Sequence, residues 1–350
     1  MAFKKILTLA LLIGWVATSA LLISWTRTTD PNPLTADIKK AVSKSLPLLQ
    51  KSGHKFIMTS RDHCVSCHSN LLTSVLEEKM IQKGLPAADE FLPERRQTAA
   101  RDLTVVTNIN TPDNFISAKF IEPYLLMGFH ADKGQPNPYT DIAVDYLLDQ
   151  QRPDGTFKVE GGRPPHETGE AHLAAFCIHA IQLYTSPAKK ARIDRAVERT
   201  KQWLLDYQPQ DQQELVFQLL GLHWTGAAKP DLEKVAARLK ALQNADGSWS
   251  QLPSMHGDAY ATGEALYALG ESGVTNPEDL SIQKSAAWLL GTQDPTGAWI
   301  VETRAYPLQP FFNSDFPPYD ENQFISAAAT NWACLALLST IPDDPKAISP

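Results

Sequence analysis

From about residue 36 to residue 341, apolar positions recur every three or four residues, and the helical segments they predict come in two alternating kinds. Segments such as AVDYLLDQ, VAARLKALQ and SAAWLLGTQ carry charge or polarity on one face. Segments such as TGEAHLAAFCIHAIQLY, TGEALYALG and ATNWACLALLST are apolar or small nearly all round. A helix apolar on every side belongs inside, and one with a charged face belongs at the surface. The outer kind is predicted to begin near Ala36, Glu90, Asn137, Ala188, Pro230 and Pro277. The inner kind begins near Ser66, Asn114, Thr168, Asp211, Ala261 and Gln323. The prediction is therefore all-α, with about six helix pairs closing into a ring that needs no end caps.

The joints repeat as well. QRPDGTF (residues 151–157), QNADGSW (243–249) and QDPTGAW (293–299) each end an outer helix with a Gln, a Gly suited to a left-handed turn, and an aromatic able to pack back across the pair. QKSGHKF (50–56) is read as a fainter fourth copy. The QxxDGSW form resembles the glutamine–tryptophan repeat of the squalene cyclase and protein prenyltransferase superfamily, whose members are α/α toroids. That resemblance implies a fold and not an activity. The class II cyclases of that superfamily protonate their substrate with an Asp-x-Asp-Asp acid, which is missing here; the sole adjacent aspartates are Asp343 and Asp344, in a Pro-rich tail. The prenyltransferase zinc set and the Cys-Gly-Glu-Gln element of thioester domains have no counterpart either.

Outside the ring, Lys4 and Lys5 precede an uncharged run over residues 6–25, long enough to span a bilayer. The lysines favour a cytoplasmic N-terminus and put the remainder on the periplasmic side of the inner membrane, anchored, or secreted if the segment is cleaved near residues 17–20. The chain thus divides into an anchor or signal (1–27), a linker (28–35), a toroid domain (36–341) and a tail (342–350). The 43% hydrophobic and 20% charged composition suits a globular domain, and the net charge of −7 argues against a nucleic-acid partner.

Export changes the meaning of RDHCVSCHSN (61–70). Cys-x-x-Cys-His is the attachment sequence of c-type haem: two thiols close together meet two vinyl groups, and the adjoining imidazole reaches the iron. Cys64 and Cys67 are then the thioether donors of a covalent haem c, and His68 its proximal metal ligand, at the start of the first inner helix. The other axial position is either open or filled by one of Met80, Met127, Met255, His63, His166 and His256, among which the sequence does not choose. A zinc site using Cys64, Cys67 and the flanking histidines, or no cofactor at all, are the alternatives. Cys177 and Cys334 read as small core residues.

Two further features bear on function. Glu170 and Glu264 are read as equivalent first-turn residues of inner helices, either complementing the helix dipole or forming a carboxylate pair for acid–base chemistry. The long connection 301–322, with Phe311, Phe312, Phe316 and Tyr319, is read as an apolar lid over the mouth or as packing between outer helices. The reading that follows is an anchored, exported haem protein with a squalene-cyclase-like toroid. Its role is redox chemistry with an exported partner, or binding of an apolar or small ligand in the cavity. The alternatives are a haem-free lumenal enzyme, cyclase-like or glycosidase-like, and a protein-binding scaffold.

Overall fold

The computed structural model describes residues 34–60, 62–106, 118–159, 162–306 and 313–347. The apolar run at residues 6–25 lies outside them; among the described residues no helix is long and apolar enough to cross a membrane. Residues from Leu34 onward form one compact unit. Its described residues contain twelve α-helices and no strand longer than an isolated bridge.

The outer helices are α1 (Thr35–Thr59), α3 (Leu92–Val106), α5 (Pro138–Gln150), α7 (Lys190–Asp206), α9 (Lys229–Ala241) and α11 (Leu280–Thr292). The inner ones are α2 (Leu72–Gln82), α4 (Ala118–Ala131), α6 (Glu170–Leu183), α8 (Gln212–Trp224), α10 (Ala259–Glu271) and α12 (Gln323–Ser339). A five-residue wide turn, Cys67–Leu71, leads into α2. Each inner helix packs on the next, and α12 returns to α2 and α1, so the inner ring closes. Side-chain caps start several helices: Asn137 for α5, Asp211 for α8, Asp258 for α10 and Asp279 for α11. Every residue of α8 from Gln212 to Leu222 is buried, its polar members Gln212, Gln213, Glu214 and Gln218 through hydrogen bonds to neighbouring segments.

The Gln-to-aromatic turns are joints between neighbouring pairs. Gln243 Nε2 donates to Ser281 O (3.0 Å) and Ser285 Oγ (2.8 Å) of α11, while Ser285 Oγ donates to Gly247 O (2.9 Å). Gln151 grips Ala196 and Thr200 of α7 in the same way, and Gln293 grips Ala41 and Ser45 of α1, which fastens the last pair to the first. The buried indoles of Trp249 and Trp299 reach back to Leu239 O (2.9 Å) and Leu289 O (2.8 Å). Gly247 has φ +97°, and a Cβ there would stand 2.8 Å from the backbone of Lys284, so the turn admits only glycine.

The stretch read as a fourth copy is not one. Residues 50–56 lie inside α1, where Gly53 faces Ser69 and Asn70 instead of turning the chain. The first two pairs are tied by charge. Arg95 of α3 is buried against Glu77 (2.6 Å), Asp89 (2.6 Å) and Asp132 (2.7 Å), and Gln50 of α1 donates to Glu77. The start of the predicted tail is also fastened: Lys83 pairs with Asp343 (2.7 Å), and Asp344 N donates to Gln82 O.

Candidate functional site at the mouth of the ring

The inner helices run parallel, so their N-terminal ends gather at one mouth, and the Cys-x-x-Cys-His segment sits there. Its backbone is held from four sides. Val65 N donates to Asp102 Oδ2 (2.8 Å), and Ser66 N to Asn70 Oδ1 (2.9 Å). Ser66 Oγ caps Ser69 N, and Asn331 of α12 donates to His68 O (2.9 Å). Cys64 and Cys67 are free thiols, each partly exposed. Burial, then the Glu167 carboxylate, pushes Cys67 up to about 12; burial and Asp102 raise Cys64. Both are neutral thiols, which does not suit disulfide exchange. Among the described residues, no three His, Cys, Asp or Glu side chains converge as a metal-ion site, so the donors of the zinc alternative do not gather on one point.

Directly facing the motif is the segment that precedes α6. His166 stacks on His68 with ring centroids 4.3 Å apart and planes 13° apart. Both line a cavity of about 30 Å³ with Arg163, Tyr306, Glu321 and Phe324. Burial, reinforced by Arg163, lowers His68 to about 3, and burial lowers His166 well below the usual histidine value. Both rings are therefore neutral at physiological pH. The His166 Nδ1 meets Tyr260 OH at 3.3 Å, while its Nε2 is buried and has no hydrogen-bond partner.

Beneath Tyr260 a polar strand continues into the ring. Gln213 Nε2 donates to Tyr260 OH (3.2 Å) and to both carboxyl oxygens of Glu264 (3.3 Å each). Burial raises Glu264 to about 8, so it is protonated at neutral pH. Around it lie the rings of His172, stacked on Phe217 at 4.0 Å, and of Phe176 and Tyr124. A second buried acid, Glu122 of α4, is raised to about 9 by burial and has neither oxygen bonded among the described residues.

The two glutamates read as equivalent are differently placed. Glu170 is the first residue of α6 and exposed, with its N–H on Glu214; Glu264 is a full turn into α10 and buried. They do not share a face as a carboxylate pair. In the long connection, Phe316 is fully buried and Tyr319 mostly exposed, so these two do not form one apolar lid; Phe311 and Phe312 lie outside the described residues. Met80 is sealed in the core, Met127 nearly so, and Cys177 and Cys334 are buried as expected. Arg163, Phe324, Asn331 and Gln213 were not legible as mouth residues, because no spacing rule links them to residue 68.

Residues 184–349 match the sequence model of the squalene-hopene cyclase C-terminal domain. The alpha-onocerin synthase of Lycopodium clavatum is 30% identical over 102 residues, 29% of this chain and 12% of that relative's length. In structure, the chain is similar to the type II terpene cyclase MstE from Scytonema, with TM-score 0.56, 14% identity, and 87% of this chain and 97% of that one covered. It is similar also to a protein from Actinoplanes, with TM-score 0.54, 14% identity, and 87% and 99% covered. A variant of MstE holds geranylgeranyl dihydroxybenzoate as substrate, at TM-score 0.54, 14% identity, and 88% and 99% covered. The chain thus has the α/α toroid fold of type II terpene cyclases.

Proposed function

We propose that this protein is an exported, membrane-tethered haem protein of the c type, in which the toroid carries one covalent haem at its mouth. Cys64 and Cys67 form the thioethers and His68 supplies the proximal nitrogen. Addition of the Cys64 and Cys67 S–H bonds across two vinyl groups would form two C–S bonds with each proton on the neighbouring carbon and no leaving group. Bound there, the group supplies an iron able to change valence or to hold a ligand. The carrying observation is the donor set. Two free neutral thiols and a neutral imidazole stand together at the mouth, facing an imidazole nitrogen with no partner.

The chain's own residues define what the site does. Beside His68 the cavity is lined by Arg163, whose guanidinium is paired with Glu167, and by the apolar face of Phe324. Asp102, Asn70 and Asn331 fix the backbone that carries the thiols and the imidazole. The mouth cavity has room for one or two waters and not, as it stands, for a porphyrin. We assign the role to electron exchange with an exported partner or to haem-based binding of a small apolar ligand. The test is a pyridine haemochrome spectrum of protein matured in the periplasm, then denatured and extracted. A c-type spectrum that stays with the chain supports the reading, and a colourless chain refutes it.

One observation favours a second reading, a haem-free cyclase-like enzyme: Glu264 is a protonated acid inside the ring of a terpene-cyclase fold. It needs a cavity at Glu264, which is instead filled by Gln213 and Tyr260. Turnover of a polyprenyl substrate by C64A/C67A protein, lost in Glu264→Gln, would establish it in place of the first.

A further inference from the structure

The tethering in that proposal, and not the haem, is the part on which the next inference rests. With residues 6–25 in a bilayer, the reach of the chain that follows limits which face of the ring the bilayer can meet.

The first length is that of α1, which packs antiparallel to α12. Phe56, near the end of α1, meets Phe324 at the start of α12 with ring centroids 6.1 Å apart, and Ser45 hydrogen-bonds the Cys334 thiol further along α12. Gly53 abuts Ser69 and Asn70 of the turn that carries the cysteine motif. The C-terminal end of α1 is therefore at the mouth, and its first residue, Thr35, is at the opposite end of the ring. At about 1.5 Å per residue, the 25 residues of α1 put about 37 Å between the two.

The second length is that of the tether. Residues 28–34, TTDPNPL, join the anchor to α1. Fully extended, a segment of that size reaches about 25 Å. A mouth lying flat on the bilayer needs Thr35 about 37 Å above the surface, which is beyond that reach. The rim points the same way: Asp62, Glu170, Glu302, Asp320 and Glu321 are exposed around the mouth, whereas Arg163 is paired with Glu167. Such a rim is repelled by a surface of anionic lipid.

We infer that the mouth opens away from the bilayer into water, so that its ligand or redox partner arrives from solution and not as a lipid lifted out of the membrane. No part of the ring has to move for this, and the mouth cavity is used at the size it has.

The test uses the full-length chain in lipid nanodiscs whose head groups carry an acceptor dye. Retention of the chain by the discs through a high-salt wash is checked first. A donor dye is attached through azidophenylalanine, which leaves the native cysteines untouched, in Tyr319→azidophenylalanine at the mouth or Lys40→azidophenylalanine near the foot of α1. Both positions are exposed. Energy transfer, measured against acceptor-free discs, is expected to be several-fold greater from position 40 than from position 319. Equal transfer, or greater transfer from position 319, would overturn the inference while leaving the tether intact. Should the 319 variant fail to fold, Asp62→azidophenylalanine supplies the mouth reading. A chain washed off the discs would instead overturn the tethering reading beneath it.

Discussion

Replacing Gly247 by alanine tests how the ring is jointed. The residue sits at φ +97°, where an L side chain costs about 1–2 kcal/mol. Its new Cβ would meet the carbonyl carbon and oxygen of Lys284 at 2.8 Å, and these belong to the backbone of α11, which cannot rotate away. Overpacking of this kind adds about 1–3 kcal/mol. Alanine also restricts the unfolded chain, returning about 0.4–1 kcal/mol. At the midpoints of these ranges the net loss is about 3 kcal/mol. Gly226 supplies the control: its φ is +69°, yet nothing lies within 4 Å of an added Cβ, so Gly226→Ala should lose about 1 kcal/mol or less. At about 2 °C per kcal/mol for a chain this large, calorimetry should find Gly247→Ala melting about 6 °C lower and Gly226→Ala within about 2 °C of wild type. Equal shifts would mean that the close approach of turn to α11 does not hold the pairs together, and the jointing argument would fail.

Three other outcomes follow from the same coordinates. Arg95→Met strands Glu77, Asp89 and Asp132 in a buried site and should cost at least about 3–5 kcal/mol by urea titration, whereas Lys79→Ala, on the more exposed Glu271 pair, should cost under about 1 kcal/mol. Glu264 has a folded value near 8 against 4.5 in the unfolded chain, so the stability of its neutral form is full below pH 4.5 and is lost as pH rises toward 8, by about 4–5 kcal/mol in all. Glu264→Gln should therefore gain on wild type by about 3 kcal/mol between pH 4.5 and pH 7; parallel stability–pH curves would refute the buried-acid assignment. Trp249→Phe loses the bond to Leu239 O and leaves a void where a fully buried indole stood, and should cost about 2–3 kcal/mol by the same titration.

The ring was readable from sequence because its signals are local. Helical period, all-round apolarity and the Gln-Gly-aromatic turns all lie within single segments, and the helix starts near Asn137, Asp211 and Gln323 agree with the structure within a residue or so. The partners of those turns were not readable. Thr200, Ser285 and Ser45 accept the glutamines, but a lone hydroxyl in an outer helix carries no mark of that role. Residues 50–56 misled for the opposite reason. Spacing alone matched the turn, while α1 continues through Gly53 because the wide turn at Cys67–Leu71 packs against it there. At the mouth, the cysteine motif stood out by chemistry, but its neighbours come from residues far along the chain. His166 and Asn331 meet His68 only through ring closure, which no local pattern encodes. Glu170 and Glu264 looked alike because the sequence TGE recurs, yet α6 starts at its glutamate and α10 starts five residues before its own.

The central claim is that Cys64 and Cys67 bind a haem through carbon–sulfur bonds. Mass spectrometry of the denatured chain, expressed in a host that loads a control c-type cytochrome in the same cells, tests it most directly. The account predicts one haem mass added to the wild-type chain and none to C64S/C67S. A wild-type chain at its bare mass, beside a fully loaded control, would contradict it.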